Sequence, residues 1–299
     1  MCRKEKTIKK SYVKYISGLL LFGSNGIVAG FIELNSYEIV LLRTMIGSLL
    51  LIALFFLGKG NLTFYHHKKQ FVSLAVSGIA MGASWIFLYE AYARIGVSIS
   101  SLLYYCGPVI VMVLSPLLFK EKLTAFKIAG FLSVLCGIFF VNGNAFDRNG
   151  DIFGIFCGLM SAVMYSLMVI FNKKAESIKG LENASVQLFI SFLTAAVFVG
   201  FKQGFAIHIS IQSVMPILIL GLLNTGIGCY LYFSSIGDLP VQTVAICGYL
   251  EPLSAVIFSV LFLKEKMLPM QIIGAILILG GAFLGELTSY KRERQHEQG

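Results

Sequence analysis

The chain has 299 residues, of which 57% are hydrophobic and 13% charged, with a formal net charge of +9. A water-soluble chain carries about a quarter of its residues as Asp, Glu, Lys and Arg, so half that charge beside 25 Phe and 30 Gly cannot clothe a surface in water. This composition excludes a soluble enzyme, a nucleic-acid-binding domain and a secreted disulfide scaffold, and the +9 reports topology and attraction to anionic headgroups.

The few charges come in bursts between apolar runs of about 18 to 23 residues, and about 20 helical residues cross a bilayer core about 30 Å thick. Marked by their polar borders, ten spans follow in chain order: 12–31, 37–57, 71–92, 98–118, 124–141, 152–170, 186–201, 216–236, 241–263 and 270–287. The expected fold is an all-α polytopic membrane protein with ten transmembrane helices. Connections are short, the longest about 15 residues (Asn172 to Ser185), so function is expected inside the bundle. The first run lacks a small-residue cleavage site and nine more follow, so it reads as a span and not a signal peptide.

Lys and Arg set the orientation. The side of the N-terminal tail takes 18 of the 24: Arg3, Lys4, Lys6, Lys9, Lys10 and Lys14, then Lys59, Lys68, Lys69, Lys120, Lys122, Lys127, Lys173, Lys174, Lys179, Lys291, Arg292 and Arg294. Arg94, Arg148, Lys202, Lys264 and Lys266 lie on the other side, and Arg43 is inside a span. Both termini are therefore expected in the cytoplasm, with the chain in the cytoplasmic (inner or plasma) membrane.

A shift of 144 residues superposes the halves without a gap over the last two spans of each. Tyr105, Pro108, Ser115 and Leu117 fall on Tyr249, Pro252, Ser259 and Leu261; Lys120-Glu121-Lys122 falls on Lys264-Glu265-Lys266. Gly130, Leu135, Gly137 and Phe139 fall on Gly274, Leu279, Gly281 and Phe283, and the register extends back to Gly82 and Gly226. Five spans is an odd number, so the second repeat (146–299) is expected to run upside down relative to the first (1–145). Two halves related by an axis in the membrane plane can adopt two equivalent rocked states around a central site, the basis of alternating access. An old duplication kept only for packing is the bland reading.

The segments YYCGPVIVMVLSPLLFKEKLTAFKIAGFLSVLCGIFFV and GYLEPLSAVIFSVLFLKEKMLPMQIIGAILILGGAFLG resemble the tandem repeats of EamA-type permeases of the drug/metabolite transporter superfamily. The shared marks are a Pro in the fourth span, an acidic residue at its end and a Gly-spaced fifth span: Pro108, Glu121, Gly130 and Gly137, then Pro252, Glu265, Gly274 and Gly281. The resemblance implies a ten-helix inner-membrane carrier with a central cavity, in a family that commonly exports amino acids, other metabolites or drugs. It also implies an Arg at the position of Arg43.

Ionisable groups inside hydrocarbon are costly and are site candidates. Glu251 lies near mid-bilayer immediately before Pro252. Proline removes a donor, freeing a carbonyl about four residues earlier, at Gly248 or nearby. At helical spacing Glu251 shares a face with Cys247, Gly248, Ser254 and Ala255, and its repeat mate is Gly107. A carboxyl there suits coupling to a proton or binding a cationic group, or else it is a structural carboxyl. Arg43, about 9 Å below the external edge, either binds a substrate carboxylate, pairs with Glu251 or Glu90, or snorkels to the headgroups. Asn25, Tyr165 and Asn224 should face the bundle, as interhelical glue or as pathway polar groups. Trp85, Tyr89, Tyr105 and Tyr249 read as cavity walls or as packing and belt residues. Pro108 and Pro252 are the expected hinges. The pairs Gly26–Gly30, Gly78–Gly82, Gly154–Gly158 and Gly281–Gly285 allow close helix approach.

Cys106, Cys136, Cys157, Cys229 and Cys247 lie in spans at no metal or redox spacing, and no nucleotide or metalloprotease motif occurs, so no cofactor, metal or enzymatic activity is expected. Gly82-Ala83-Ser84-Trp85 resembles the start of an intramembrane serine-protease motif, but no span holds a His as base. The expectation is a secondary carrier for a small-molecule solute, with a proton as candidate coupling ion. The alternative is a membrane scaffold or lipid-interacting protein whose bundle core is filled.

Overall fold

The computed structural model describes residues 2–95, 97–142, 151–263, 269–270, 272–281 and 284. The second Lys-Glu-Lys turn (Lys264, Glu265, Lys266), Phe283, Gly285, Arg148 and the C-terminal Lys291, Arg292 and Arg294 lie outside them. Among the described residues the regular structure is all helical. Five helices are long and apolar enough to cross a bilayer: Ser36–Leu57, Lys68–Ile95, Ile152–Lys173, Gly180–Lys202 and Ile211–Ile236, the last containing a π-helical stretch. Shorter apolar helices are Cys106–Phe119, Ala125–Phe140 and Ile272–Gly281.

In chain order the elements are α1 (Cys2–Gly23), α2 (Asn25–Ala29), α3 (Ser36–Leu57), α4 (Lys68–Ile95), α5 (Val97–Tyr104), α6 (Cys106–Phe119), α7 (Ala125–Asn142), α8 (Ile152–Lys173), α9 (Gly180–Lys202), α10 (Ile211–Ile219), a π-helical segment (Leu220–Ile227), α11 (Gly228–Ile236), α12 (Val241–Cys247) and α13 (Leu250–Leu263). Three stretches expected as single spans are broken, and local chemistry accounts for each. Pro108 and Pro252 cannot donate to the carbonyl four residues before them. The helix accordingly stops one turn upstream, between α5 and α6 at Tyr105 and between α12 and α13 at Gly248-Tyr249. The Gly248 carbonyl is recovered by the Glu251 amide at 3.2 Å, a tighter i to i−3 bond. In the first span the Leu21 carbonyl is taken by the Ser24 hydroxyl (2.8 Å) and by Asn224 Nδ2 (3.0 Å), and the chain breaks there between α1 and α2.

The 144-residue register extends to the element boundaries. The bounds of α6 shifted by 144 are those of α13, and α5 and α3 fall on α12 and α9 to within a residue. The fifth helices meet in reverse order: a Cβ on Gly137 would stand 2.6 Å from the Gly274 carbonyl, and one on Gly281 would collide with that of Gly130. Between them Ser133 donates to the Leu277 carbonyl at 3.0 Å. Rising numbers in α7 meet falling numbers in Ile272–Gly281, so the two helices are antiparallel and the contact is self-complementary.

In lipid, helices gain little from apolar burial against one another; close approach and hydrogen bonds hold them. Gly78 and Gly82 bring α4 onto the backbone of α9 at Gln187 and Ser191, and Gly158 seats Leu103 of α5 on α8. The Gly26–Gly30 pair does not serve in this way: a Cβ on Gly26 would meet nothing, and Gly30 ends α2. The halves interleave, since α1 lies against α11 and α13 while α8 lies against α4, α5 and α6. Glu121 of the first Lys-Glu-Lys turn caps α12, accepting from the Val241 (2.7 Å) and Gln242 (3.1 Å) amides at the helix's positive end. Lys173 does the converse for α11, donating to the carbonyls of Ile236, Gly237 and Leu239.

Candidate functional site

The break before Pro252 puts Glu251 in the first turn of α13. Its flanks Tyr249, Pro252, Leu253 and Ser254 are buried, whereas Glu251 itself is only half-buried. Among the described residues its carboxylate has no ion pair or hydrogen bond. Its face otherwise meets protein, because Gly23 of α1 sits against the Glu251 carbonyl and the Ser254 side chain.

Arg43, on α3, is 3% exposed. Its Nε donates to Thr225 Oγ1 at 2.9 Å, and its guanidinium lies 4.6 Å from the centre of the Trp85 ring. Thr225 reaches it from the π-helical segment, whose wider turn lets the Thr225 hydroxyl also donate to the Leu220 carbonyl five residues back (2.7 Å). Arg43 Nη2 is buried without a partner. Snorkelling does not describe this side chain, and pairing with Glu90 is excluded by geometry. Glu90 binds Arg94 at 2.8 Å and Lys202 at 3.0 Å at the bundle rim. Nor do Arg43 and Glu251 form an ion pair, although each lies in the other's electrostatic reach. On the same rim Arg94 binds Asp151 at 2.8 Å, and its guanidinium holds the Asp151 carboxyl below the usual carboxylate range.

Tyr92, Tyr104, Tyr105 and Tyr165 lie within electrostatic reach of Glu251. Tyr104 is in ring contact with Tyr105 (5.7 Å) and Tyr165 (5.3 Å). The Tyr165 and Tyr232 hydroxyls are 3.3 Å apart, and Tyr232 stacks obliquely on Tyr15. At the two helix breaks the Tyr249 hydroxyl donates to the Tyr105 carbonyl at 2.8 Å.

Of the residues singled out from sequence, Tyr105 and Tyr165 meet through Tyr104 within electrostatic reach of Glu251, and Arg43 lies on the Trp85 ring. Tyr249 is fully buried and braces the breaks. Tyr89 is half-buried against Tyr92 (5.2 Å). Asn224 is committed to holding the α1 break, through Leu21 and Ser24. Asn25 keeps a buried, unpartnered Oδ1 on α2, which lies against α13. Ser84 donates to the Ser161 carbonyl at 2.8 Å, an interhelical tie. Sequence reasoning missed Tyr15, Tyr92, Tyr104, Tyr232 and Thr225. The adjacent pair Tyr104-Tyr105 was the visible signal for one of them; the others are defined only by packing.

The sequence pattern of the EamA-like transporter family matches twice, over residues 10–143 and 152–285. The chain belongs to the EamA-like transporter family. It is a transporter and a multi-pass membrane protein. This EamA-like chain is 22% identical over 276 residues to the uncharacterized transporter YxxF of Bacillus subtilis (strain 168), covering 91% of this chain and 88% of that one. It is 25% identical over 293 residues to the uncharacterized transporter YetK of the same organism, covering 92% and 86%. It is 24% identical over 259 residues to the threonine/homoserine exporter RhtA of Escherichia coli (strain K12), covering 86% and 83%. A solved crystal structure shares the fold with a TM-score of 0.80 at 18% identity, over 93% of this chain and 98% of the other.

Proposed function

We propose that this transporter is a ten-span secondary carrier, built as two inverted five-helix repeats (1–145 and 146–299), that exports a small zwitterionic solute of the amino-acid class by alternating access. Both termini are cytoplasmic in this reading. The observation that carries it is the pair of unsatisfied opposite charges inside one bundle: the half-buried, unpartnered Glu251 carboxylate and the buried Arg43 guanidinium with a free Nη2. A buried charge without partners is costly unless a ligand completes it. Glu251 takes the solute's ammonium group, or a proton in its absence; Arg43 takes the carboxylate; Trp85 and the tyrosines give the apolar walls. The antiparallel contact of the fifth helices supports the inversion of the repeats, and the name of RhtA supports the solute class and the direction.

The test is ligand-induced thermal stabilisation of the purified chain against amino acids, the matching amines and the matching carboxylic acids. Amino acids should stabilise it while analogues lacking either charge do not. Glu251→Gln should abolish the response to the ammonium group and Arg43→Ala the response to the carboxylate. Equal stabilisation of wild type and both variants would remove these residues from solute recognition.

A further inference from the structure

An apolar groove of about 410 Å³ opens between the C-terminal half of α3 and the N-terminal half of α9, away from Glu251 and Arg43. Phe55, Phe56, Phe189 and Leu193 line it, and the connection between α3 and α4 closes one end with Leu62 and Phe64. That end is built by a buried carboxylate. Glu182, 7% exposed, accepts from the Thr63 amide (2.6 Å), the Thr63 hydroxyl (2.6 Å) and the Phe64 amide (2.9 Å). Phe64 in turn stacks on Phe71 of α4 at 5.0 Å. Three donors from the α3–α4 connection hold this carboxylate, so it serves to pin the wall.

Phe64, Phe71, Ile178 and Val186 pack in one cluster at this end, and the segments that bring them there carry Lys59, Lys68, Lys69 and Lys179, all exposed, with His66 and His67 exposed beside them. None of the four lysines has an ion pair among the described residues. Lys59 holds a left-handed backbone (φ 50) just after the Gly58 cap of α3, which turns the chain back over the groove. An apolar trough on a helix bundle, ending under unneutralised cations at the polar border of two spans, matches one kind of ligand: an acyl chain joined to an anionic headgroup. Uncharged lipid would leave the cations unmatched, and a free anion would leave the trough unused.

We infer that this groove is a seat for an anionic phospholipid, with one acyl chain along Phe55 and Phe189 and the phosphate among Lys59, Lys68, Lys69 and Lys179. The site is separate from the solute pathway and independent of the solute's identity. Each lysine near an anionic lipid surface is worth about a factor of five in affinity.

The experiment uses the full chain in detergent, titrated with phosphatidylglycerol, with phosphatidylcholine of the same acyl chains and with inorganic phosphate, and read by native mass spectrometry and melting temperature. Phosphatidylglycerol should be retained and should stabilise the protein, with little effect of the other two. Lys59→Ala, Lys68→Ala and Lys69→Ala, which touch no core contact, should each weaken its retention by about fivefold. Val186→Trp, which fills the trough, should abolish it while Lys variants keep the wild-type melting temperature without lipid. Equal retention of phosphatidylcholine, or lysine variants that retain phosphatidylglycerol as wild type does, would overturn the assignment. Stabilisation by inorganic phosphate alone would show a soluble-anion site instead and overturn it equally. If Val186→Trp fails to fold, the lysine variants decide alone.

Discussion

Arg43 and Gln187 occupy equivalent positions under the 144-residue shift, as do Thr225 and Met81. Arg43 binds Thr225 at 2.9 Å, and Gln187 Nε2 stands 3.8 Å from Met81 Sδ. The repeat has therefore kept one contact twice and charged only one copy, as it has with Glu251 and its mate Gly107. Asymmetry placed on a symmetric frame is what distinguishes a site from inherited packing. Thr225→Val removes the only hydrogen-bond acceptor assigned to the Arg43 head among the described residues, and should lower stability by about 1–2 kcal/mol, measured as a fall in melting temperature. At the rim, Arg94 depresses the Asp151 carboxyl in the folded state. Its contribution is thus complete above the ordinary carboxylate range and is lost as pH falls through it, at about pH 4 and below. Asp151→Asn should flatten that part of the melting profile by lowering the neutral part slightly toward the acid part, which stays nearly unchanged. Glu251 and Arg43 were legible in the sequence as charges inside apolar runs. Their surroundings were not, because Tyr104, Tyr165 and Tyr232 are brought together by helices far apart in the chain, and no period or spacing encodes that.

At the scale of elements, Pro108 and Pro252 were legible as hinges, since proline loses a donor, but the full breaks fall inside stretches expected as single spans. The π-helical segment was not legible. It follows from tertiary demands, Thr225 meeting both Arg43 and the Leu220 carbonyl, and no residue in Leu220–Ile227 announces it. The role of Glu121 was likewise invisible as a sequence of letters: it marks a turn in the repeat, and the fold uses it to cap α12. Under the alternating access proposed above, the breaks would also carry a switch. The Tyr249 hydroxyl donates to the Tyr105 carbonyl, whereas the mirror bond from the Tyr105 hydroxyl to the Tyr249 carbonyl is not made among the described residues. Exchange of rocked states exchanges the repeats' roles, so the mirror bond belongs to the other state. Tyr249→Phe should then shift the equilibrium away from the present state by about fivefold, and Tyr105→Phe should shift it toward that state. Spin-label distances across each end of the bundle report both populations. Shifts in the same direction would contradict the exchange.

For the molecule as a whole, duplication does not mean two separable domains. With α1 set against α11 and α13, and α8 against α4, α5 and α6, each half completes the other. Residues 1–145 and 146–299 expressed apart should be recovered as a folded complex only when made together, which co-purification with a tag on one half checks. Recovery of either half alone as a monodisperse protein would contradict the interleaving. The central claim is that the bundle is a carrier whose solute site contains Glu251. It is tested most directly by counterflow in proteoliposomes preloaded with unlabelled amino acid, with the same labelled solute outside. Wild-type protein should produce a saturable transient accumulation of label, and Glu251→Gln, inserted in equal amount, should abolish it. Accumulation by Glu251→Gln equal to wild type at every pH would contradict the account.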